Sequence, residues 1–269
     1  MLGLAIIGAG PAALTAAIYA ARAGLKVRVY DKKSFGGALN DIIKIENFPG
    51  FVGEGSELAR ALKNQAIRAG AEIEYGDCSS VEPLIVDGEE VEARVVLIAT
   101  GSEPRPLGFQ IKKPVSYCVL CDAPLYKGKN VAVVGGGNSA VQESLHLAKI
   151  VKKLTLISHT PLRAEKNLIE KLQKLPNVGI RENAEPTPSL LNDFDAVFVL
   201  IGKRPATTFL PKDILSSDGY IVPKNGHQTA HKNLFVAGDV RQDSIRQAIT
   251  AAADGAAAAL EIIEFLNQK

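Results

Sequence analysis

Residues 8–13 read G-A-G-P-A-A and residues 135–140 read G-G-G-N-S-A, and these two stretches decide the fold. A short apolar run precedes each of them, L-A-I-I in the first case and N-V-A-V-V in the second. A helix-type segment and a further apolar run follow each, ending at Asp31 and at Ser158. The order strand, glycine turn, helix and strand predicts one βαβ unit in each half of the chain.

The first unit has the small residues that a dinucleotide needs. Gly8 permits the tight turn, Gly10 lets the backbone approach a pyrophosphate, and Ala13 lets helix and strand pack closely. Free N–H groups at the helix N-terminus suit phosphates, and Asp31 can accept hydrogen bonds from a ribose. Ser158 holds the equivalent position in the second unit and brings no carboxylate. A Rossmann-type turn without nucleotide is the alternative for either copy, and it is stronger for the second.

Composition restricts the class of protein. The chain has 269 residues, 46% of them hydrophobic and 22% charged, as in ordinary globular proteins. The net charge of +2 gives no electrostatic case for nucleic acid or an acidic membrane surface. The apolar start is broken by glycines and a proline, so we expect no signal peptide, and no apolar run is long enough for a membrane helix. Three cysteines suggest a reducing, cytoplasmic location.

A third motif, N-L-F-V-A-G-D, ends at Asp239, and an alanine-rich segment predicted to be helical from about Ser244 to Leu266 follows. The Asp239 side chain can bind the hydroxyls of a polyol chain, or it can simply cap the helix. The motif is near the carboxyl terminus, and the second βαβ unit lies between it and the first. This order predicts one domain inserted into another.

The predicted fold is therefore α/β, with two Rossmann-like dinucleotide-binding domains, the second inserted into the first. We place the outer domain at 1–112 and 219–269 and the inserted domain at 113–218. Gly and Pro cluster near both junctions, as in linkers.

Cys118 and Cys121 form a C-x-x-C pair just before the second glycine turn. Such a pair can hold a metal, act as a redox disulfide or sit inert in a core. Neither a second C-x-x-C nor an H-x-x-x-H lies near, so we expect no metal site. Cys78 is interpreted as a bystander, and the four histidines are expected on loops or helix surfaces.

Taken in order, the motifs resemble one family over nearly the whole chain. The matching stretches are G-A-G-P-A-A, G-G-A-L, E-N-F-P-G-F, I-A-T-G, C-V-L-C-D, G-G-G-N-S-A, R-A-E-K, A-G-D-V and R-Q-A-I-T. The chain resembles the low-molecular-weight thioredoxin reductases among the flavoprotein disulfide reductases. In this family the cysteine pair directly precedes the second nucleotide fold.

The resemblance implies FAD on the first fold. The residues that match the family's FAD site are Gly8, Gly10, Ala12, Ala13, Asp31, Gly36, Gly37, Asn47, Ala99, Thr100, Gly101, Gly238, Asp239, Arg246, Gln247 and Ala248. A nicotinamide dinucleotide, NAD(P)H, would use the second fold. The residues that match this second site are Gly135, Gly137, Asn138, Ser139, Ala140 and Arg163.

The resemblance also implies the chemistry of the cysteine pair. Cys121 would face the flavin, Cys118 would attack a disulfide of thioredoxin or a similar small protein, and Asp122 would act as acid and base. The family further implies a homodimer in which the central domain rotates between two orientations.

The chain departs from the family where electrons enter. NADPH-using members carry a basic H-R-R cluster, but residues 157–166 read I-S-H-T-P-L-R-A-E-K, and only Arg163 is kept. Because arginine forks bind phosphate bidentately, we expect poor or no use of NADPH. Ferredoxin or another donor, a dithiol oxidase using oxygen, and a flavin-bound redox sensor remain alternatives.

The chain is also shorter than most members, and the shortening falls in the β-meanders. Residues 76–95 leave room for little more than a hairpin. Two prolines between 179 and 197 argue against regular strands there.

Overall fold

Two parallel sheets of five strands each organise the chain in the computed structural model, which describes residues 1–42 and 44–268. The strands are β1 (Leu2–Ile7), β2 (Val27–Asp31), β3 (Ile45–Phe48), β4 (Phe51–Gly53), β5 (Glu72–Tyr75), β6 (Cys78–Val81), β7 (Leu84–Val86), β8 (Glu89–Glu90), β9 (Ala93–Ile98), β10 (Ser102–Pro104), β11 (Val115–Ser116), β12 (Asn130–Val134), β13 (Lys153–Ile157), β14 (Val178–Arg181), β15 (Ala196–Val199), β16 (Lys203–Pro205) and β17 (Leu234–Val236). The α-helices are α1 (Pro11–Arg22), α2 (Gly55–Arg68), α3 (Val119–Asp122), α4 (Asn138–Leu147), α5 (Lys166–Gln173), α6 (Pro188–Leu191) and α7 (Ala248–Asn267).

The outer unit comprises Met1–Glu103 and Pro205–Lys269. Its parallel sheet has the order β17-β9-β1-β2-β5. Helices α1 and α7 pack on one face through buried alanines, including Ala13, Ala17 and Ala259. The meander β6-β7-β8 contributes to the apolar cluster that also includes residues of this sheet. Small side chains on α1 let the two helices lie close together and close to the glycine turn.

The inner unit, Pro104–Arg204, has a parallel sheet of order β11-β15-β12-β13-β14. Both sheets therefore place the strand before the glycine turn in the middle, as the sequence predicts for two Rossmann-like units. Phe198 and Leu154 are fully buried between this sheet and α4 and α5. The units meet in sequence at Glu103/Pro104 and Arg204/Pro205, earlier than the junctions placed from sequence.

The expected start of the last helix needs correction. Helix α7 begins at Ala248 and not near Ser244, because Asp243 and Arg246 have φ values of 60°, which an α-helix excludes. The first meander is a hairpin extended by one strand of two residues, in agreement with the limited room between residues 76 and 95. Between β14 and β15 the structure has α6 and no strand, in agreement with the prolines. Among the described helices, none combines the length and apolar character needed to cross a membrane.

Candidate active site

The turn between β1 and α1 is shaped for a phosphate. Gly8 has a φ of 103°, and a Cβ there would overlap the carbonyl oxygen of Ala99. Gly10 is the N-cap of α1, and no side chain caps this helix. A Cβ on Gly10 would meet nothing within 4 Å. The helix therefore presents N–H groups toward open space, where an anion is stabilised.

Other predicted FAD-site residues surround this turn. The Ala9 N–H donates to Asp31 Oδ2 at 2.8 Å, and the Gly36 N–H donates to the Ala9 carbonyl at 2.7 Å. Gly238 has a φ of 79°, and a Cβ on it would stand 2.8 Å from the Ala12 Cβ. The structure thus brings the G-A-G-P-A-A turn, Asp31, the Gly36–Gly37 turn, Ala99 and Gly238 together.

Four further predicted residues, Asn47, Arg246, Gln247 and Ala248, lie at the N-terminus of α7. Asn47 Nδ2 donates to Gln247 Oε1 at 3.2 Å. Arg246 lies over the Tyr220 ring at 4.8 Å, and within the described chain its Nε is buried without a hydrogen-bond partner. Ser244 Oγ is buried and unpartnered in the same way. Buried polar atoms are normally hydrogen-bonded, so this segment fits a polar ligand such as the flavin end of FAD.

The cysteine pair begins the short helix α3. Cys118 and Cys121 are joined as a disulfide, with Cα atoms 5.3 Å apart. The Cys121 N–H donates to Cys118 Sγ at 3.2 Å. Asp122 lies in the same turn, and Ser116 Oγ donates to its Oδ2 at 2.7 Å. The predicted cysteines and acid are thus held together, with a serine hydroxyl that was not predicted from the sequence.

A second carboxyl group lies at the start of α3. Glu143 of α4 accepts the Val119 N–H at 3.4 Å. Burial raises the pKa of Glu143 above its ordinary value, although the Val119 N–H and Lys203 act in the opposite direction. This residue was not predicted from the sequence, because its distance from the cysteines along the chain hides the contact.

The second glycine turn has the same geometry as the first. Gly135 has a φ of 152°, and a Cβ there would overlap the Leu200 carbonyl oxygen. Gly137 is the N-cap of α4, again with no side-chain cap, and a Cβ on Gly137 would meet nothing within 4 Å. Asn138 Oδ1 accepts the Glu165 N–H at 2.8 Å. The second turn therefore has the same open, uncapped helix N-terminus that suits a phosphate at the first turn.

Charged residues of both signs lie at the ribose end of this second site, Glu182 and Glu185 together with Arg163 and Arg181. Glu182 Oε1 accepts the Leu162 N–H at 2.6 Å. Glu185 forms an ion pair with His159, and Arg181 pairs in the sheet with Ile157 at the end of β13. The Arg163 side chain is exposed, and the backbone N–H of Arg163 donates to the Gly136 carbonyl at 2.8 Å.

Neither glutamate of this ribose end was predicted from the sequence. The available signal was their position after β14, which pairs with β13 in a parallel sheet. Residues that follow neighbouring parallel strands meet at one sheet edge.

Comparisons with known proteins agree with this geometry. The model of the pyridine nucleotide-disulphide oxidoreductases matches residues 3–255. The thioredoxin reductase of Treponema pallidum is 37% identical, covering 97% of this chain and 96% of that protein. The thioredoxin reductase of Bacillus subtilis is 34% identical, covering 98% of this chain and 94% of that protein.

A solved structure extends the match to three dimensions. The thioredoxin reductase of Streptococcus pyogenes superimposes with a TM-score of 0.90 at 32% identity, covering 100% of this chain and 99% of that one. This family uses FAD, and its disulfide oxidoreductases combine two Rossmann-like folds with the motifs found here. The chain belongs to the pyridine nucleotide-disulphide oxidoreductase family, as a flavin disulfide oxidoreductase similar to thioredoxin reductase.

Proposed function

We propose that this flavoenzyme reduces the disulfide of thioredoxin or a similar small redox protein through Cys118 and Cys121, with poor or no use of NADPH. The observation that carries the proposal is the Cys118–Cys121 disulfide at the start of α3, with Asp122 in the same turn. The names of the relatives in Treponema pallidum and Bacillus subtilis support thioredoxin as the acceptor.

The outer unit supplies the residues that would hold FAD. The α1 N-terminus at Gly10 would bind the pyrophosphate, Asp31 the adenosine ribose, and Asp239 the ribityl chain. Arg246 and Gln247 would lie beside the isoalloxazine ring. When bound, FAD accepts a pair of electrons from a donor and makes them available to a disulfide.

The dithiol form of the pair carries out the exchange. The Cys118 thiolate attacks one sulfur of the partner disulfide, and the other partner sulfur leaves as a thiolate that takes up a proton. The Cys121 thiolate then attacks Cys118 Sγ, the mixed disulfide breaks, and the partner leaves as a dithiol. Two electrons pass from enzyme to partner, and the enzyme disulfide is restored. Asp122 would take and return the protons of the two thiols.

Weak NADPH use is inferred from the charges at the ribose end. A 2′-phosphate would meet Glu182 and Glu185, and Glu182 already accepts the Leu162 N–H. His159 is engaged with Glu185, and Ser158 brings no charge. Like charges that face each other in a binding site cost several kcal/mol of binding free energy. A cost of this size is enough to separate good from poor substrates. NADH has no 2′-phosphate to meet these glutamates, so we expect it to bind better than NADPH.

Cysteine variants test the acceptor reaction. Cys118→Ser and Cys121→Ser, each loaded with FAD and reduced with dithionite, should lose reduction of thioredoxin disulfide. Cys78→Ser is the matched control and should keep it, because Cys78 is buried away from the exchange. Retained thioredoxin reduction in either of the first two variants would refute the proposal.

Anaerobic stopped-flow bleaching of the flavin tests the electron supply. We expect micromolar NADPH to reduce the flavin of the wild-type protein slowly. NADPH should reduce the flavin faster in the double variant Glu182→Gln and Glu185→Gln, and Glu170→Gln is the control. Fast reduction of the wild-type protein by NADPH would contradict the expectation. If NADH is also slow, reduced ferredoxin is the next donor to mix, and oxygen consumption with a small dithiol tests the oxidase alternative.

A further inference from the structure

A buried histidine lies behind the proposed flavin site. His227 lies in a turn before β17, as expected for the histidines, but it is only 8% exposed. Its Nδ1 is 2.8 Å from Glu261 Oε1, and its Nε2 is 3.0 Å from Asp254 Oδ1. Both carboxylates project from α7, two turns apart. We name His227, Arg241, Asp254 and Glu261 the histidine cluster.

The geometry specifies the charge of the ring. A carboxylate oxygen accepts hydrogen bonds, so each ring nitrogen facing one must carry a proton. An imidazole with both nitrogens protonated is the cation. With His227 and Arg241 positive and Asp254 and Glu261 negative, the cluster is electrically neutral. Deprotonation of His227 would leave one uncompensated negative charge in a largely buried site, which is costly.

Asp254 connects this cation to the glycine turn after β17. Its Oδ2 accepts the Gly238 N–H at 2.7 Å. Arg241 donates to the same carboxylate from Nη2 at 2.7 Å and from Nε at 3.1 Å. The Gly238 turn is thus held between Asp254 on one side and Ala12 of the dinucleotide turn on the other. Asp239, the proposed ribityl ligand, is the next residue.

The backbone of His227 supports the same strand end. Its N–H donates to Glu261 Oε2 at 2.8 Å, and its carbonyl accepts the Val236 N–H at 2.8 Å. Val236 is the last residue of β17, two positions before Gly238. Side chain and backbone of His227 therefore both fix the segment that leads into the turn.

We propose that His227, as an imidazolium bridging Asp254 and Glu261, is a positioning residue for FAD: it fixes the carboxylate that holds the Gly238–Asp239 turn, and its deprotonation weakens FAD binding. This inference rests on the proposed function, which assigns FAD to this site. His227 touches no reacting atom and acts through Asp254.

The direction of the pH effect follows from the surroundings. Burial opposes the charge on His227, but hydrogen bonds to Asp254 and Glu261 outweigh it, and the pKa of His227 is raised. A raised histidine pKa gives stabilisation that is complete below the ordinary value of about 6.5 and is lost as pH rises through the raised value. Loss of the cation removes a hydrogen bond from the Asp254 carboxylate that holds the Gly238 turn, so we expect FAD to bind more weakly on the alkaline side.

The test is the FAD dissociation constant of the full-length protein between pH 6.0 and 9.5, followed by flavin fluorescence. For the wild type we expect a loss of affinity of about tenfold across this range, equivalent to one pKa unit of differential interaction. His227→Gln should bind about tenfold more weakly at pH 6.0 and show no pH dependence. Glu261→Gln removes one ring partner and should move the loss of affinity to lower pH.

His231→Gln is the matched control. His231 also lies between two carboxylates, Glu82 and Asp213, but it has no contact with the Gly238 turn. We expect this variant to keep the wild-type profile. Circular dichroism of each apo-protein separates weak FAD binding from loss of the fold. If His227→Gln does not fold, the result for Glu261→Gln decides the question.

Two failures are distinguishable. If the wild type binds FAD but His227→Gln and Glu261→Gln both keep its affinity and pH profile, the inference about His227 is wrong and the proposed function stands. If the wild type binds no FAD at any pH, the proposed function fails, and the inference fails with it.

Discussion

The hydroxyl of Ser116 is a small feature with a specific consequence for the cysteine turn. Its single proton is directed to Asp122 Oδ2 at 2.7 Å, with the Cys118 carbonyl 3.3 Å from the hydroxyl oxygen, while the Asp122 N–H donates to that carbonyl at 3.1 Å. These bonds hold the carboxylate in one orientation relative to the disulfide. A proton carrier is effective only when it is held within reach of the group it serves.

Replacing this acid should slow exchange and leave the fold intact. For Asp122→Asn we expect thioredoxin-disulfide reduction to fall by roughly 100-fold or more, the usual range for a lost acid–base group. The control is Asp193→Asn, an aspartate in the same unit. Steady-state rates with a fixed donor measure the effect, and an Asp122→Asn rate within twofold of the wild type would contradict the assigned function of Asp122.

Gly238 allows a second prediction for a single residue. An alanine at 238 would have a strained φ and would also collide with Ala12. An alanine at 24 would have a similar φ of 86°, but with open space around it. We expect the alanine at 238 to lower the unfolding free energy by roughly 2 kcal/mol more than the alanine at 24. Urea titrations of both apo-proteins give the difference, and equal losses would show that the close packing has no energetic weight.

Helix α3 carries the cysteines of the inner unit, and its start contacts the half-buried Glu143 of α4. Because burial raises the pKa of Glu143, the unfolded state releases this proton at lower pH than the folded state. The contribution of Glu143 to stability is therefore highest below the ordinary glutamate value and falls as pH rises through the raised folded value.

Glu143→Gln should flatten this dependence. At pH 7 we expect the variant to be at least as stable as the wild type, within about 1 kcal/mol, the usual scale of a single substitution. Glu170→Gln on α5 is exposed and serves as control. Urea midpoints at pH 4.5, 6 and 7.5 measure the effect, and a Glu143→Gln loss of stability that grows with pH would contradict the expected sign.

The elements also show which parts of the structure a sequence reveals. The strands and helices of both βαβ units were predictable, because apolar runs and glycine turns are local patterns. Cys118, Cys121 and Asp122 were predictable for the same reason. The contacts of Ser116 with Asp122, Glu182 with Leu162, and His227 with α7 depend on which strands and helices become neighbours. The start of α7 was misplaced because two non-glycine residues adopt positive φ values.

For the whole molecule, the modest net charge of +2 hides an asymmetry between the two units. Residues 104–204 contain fifteen Lys and Arg and eight Asp and Glu, a net charge of +7. The rest of the chain contains sixteen Lys and Arg and twenty-one Asp and Glu, a net charge of −5. The composition of the whole chain conceals this difference, which emerges when the chain is divided as the structure divides it.

This asymmetry predicts a salt-dependent encounter with an acidic partner at the inner unit. We expect kcat/KM for an acidic thioredoxin to fall by about tenfold between low and 0.5 M salt, because electrostatic steering is screened. A small uncharged disulfide, tested in the same buffers, should show no such loss. If kcat/KM for thioredoxin stays constant or increases with salt, electrostatic attraction does not contribute to the encounter of the two proteins.

The central claim is that Cys118 transfers electrons to the partner by direct disulfide exchange, and covalent trapping tests it most directly. Reduced Cys121→Ser and Cys118→Ser proteins are each mixed with a thioredoxin that has one cysteine, activated as a mixed disulfide with thionitrobenzoate. We predict a protein–protein adduct with Cys121→Ser, seen by intact mass and reversed by dithiothreitol, forming at least about tenfold faster than with Cys118→Ser. Equal rates, or faster trapping by Cys118→Ser, would contradict this claim.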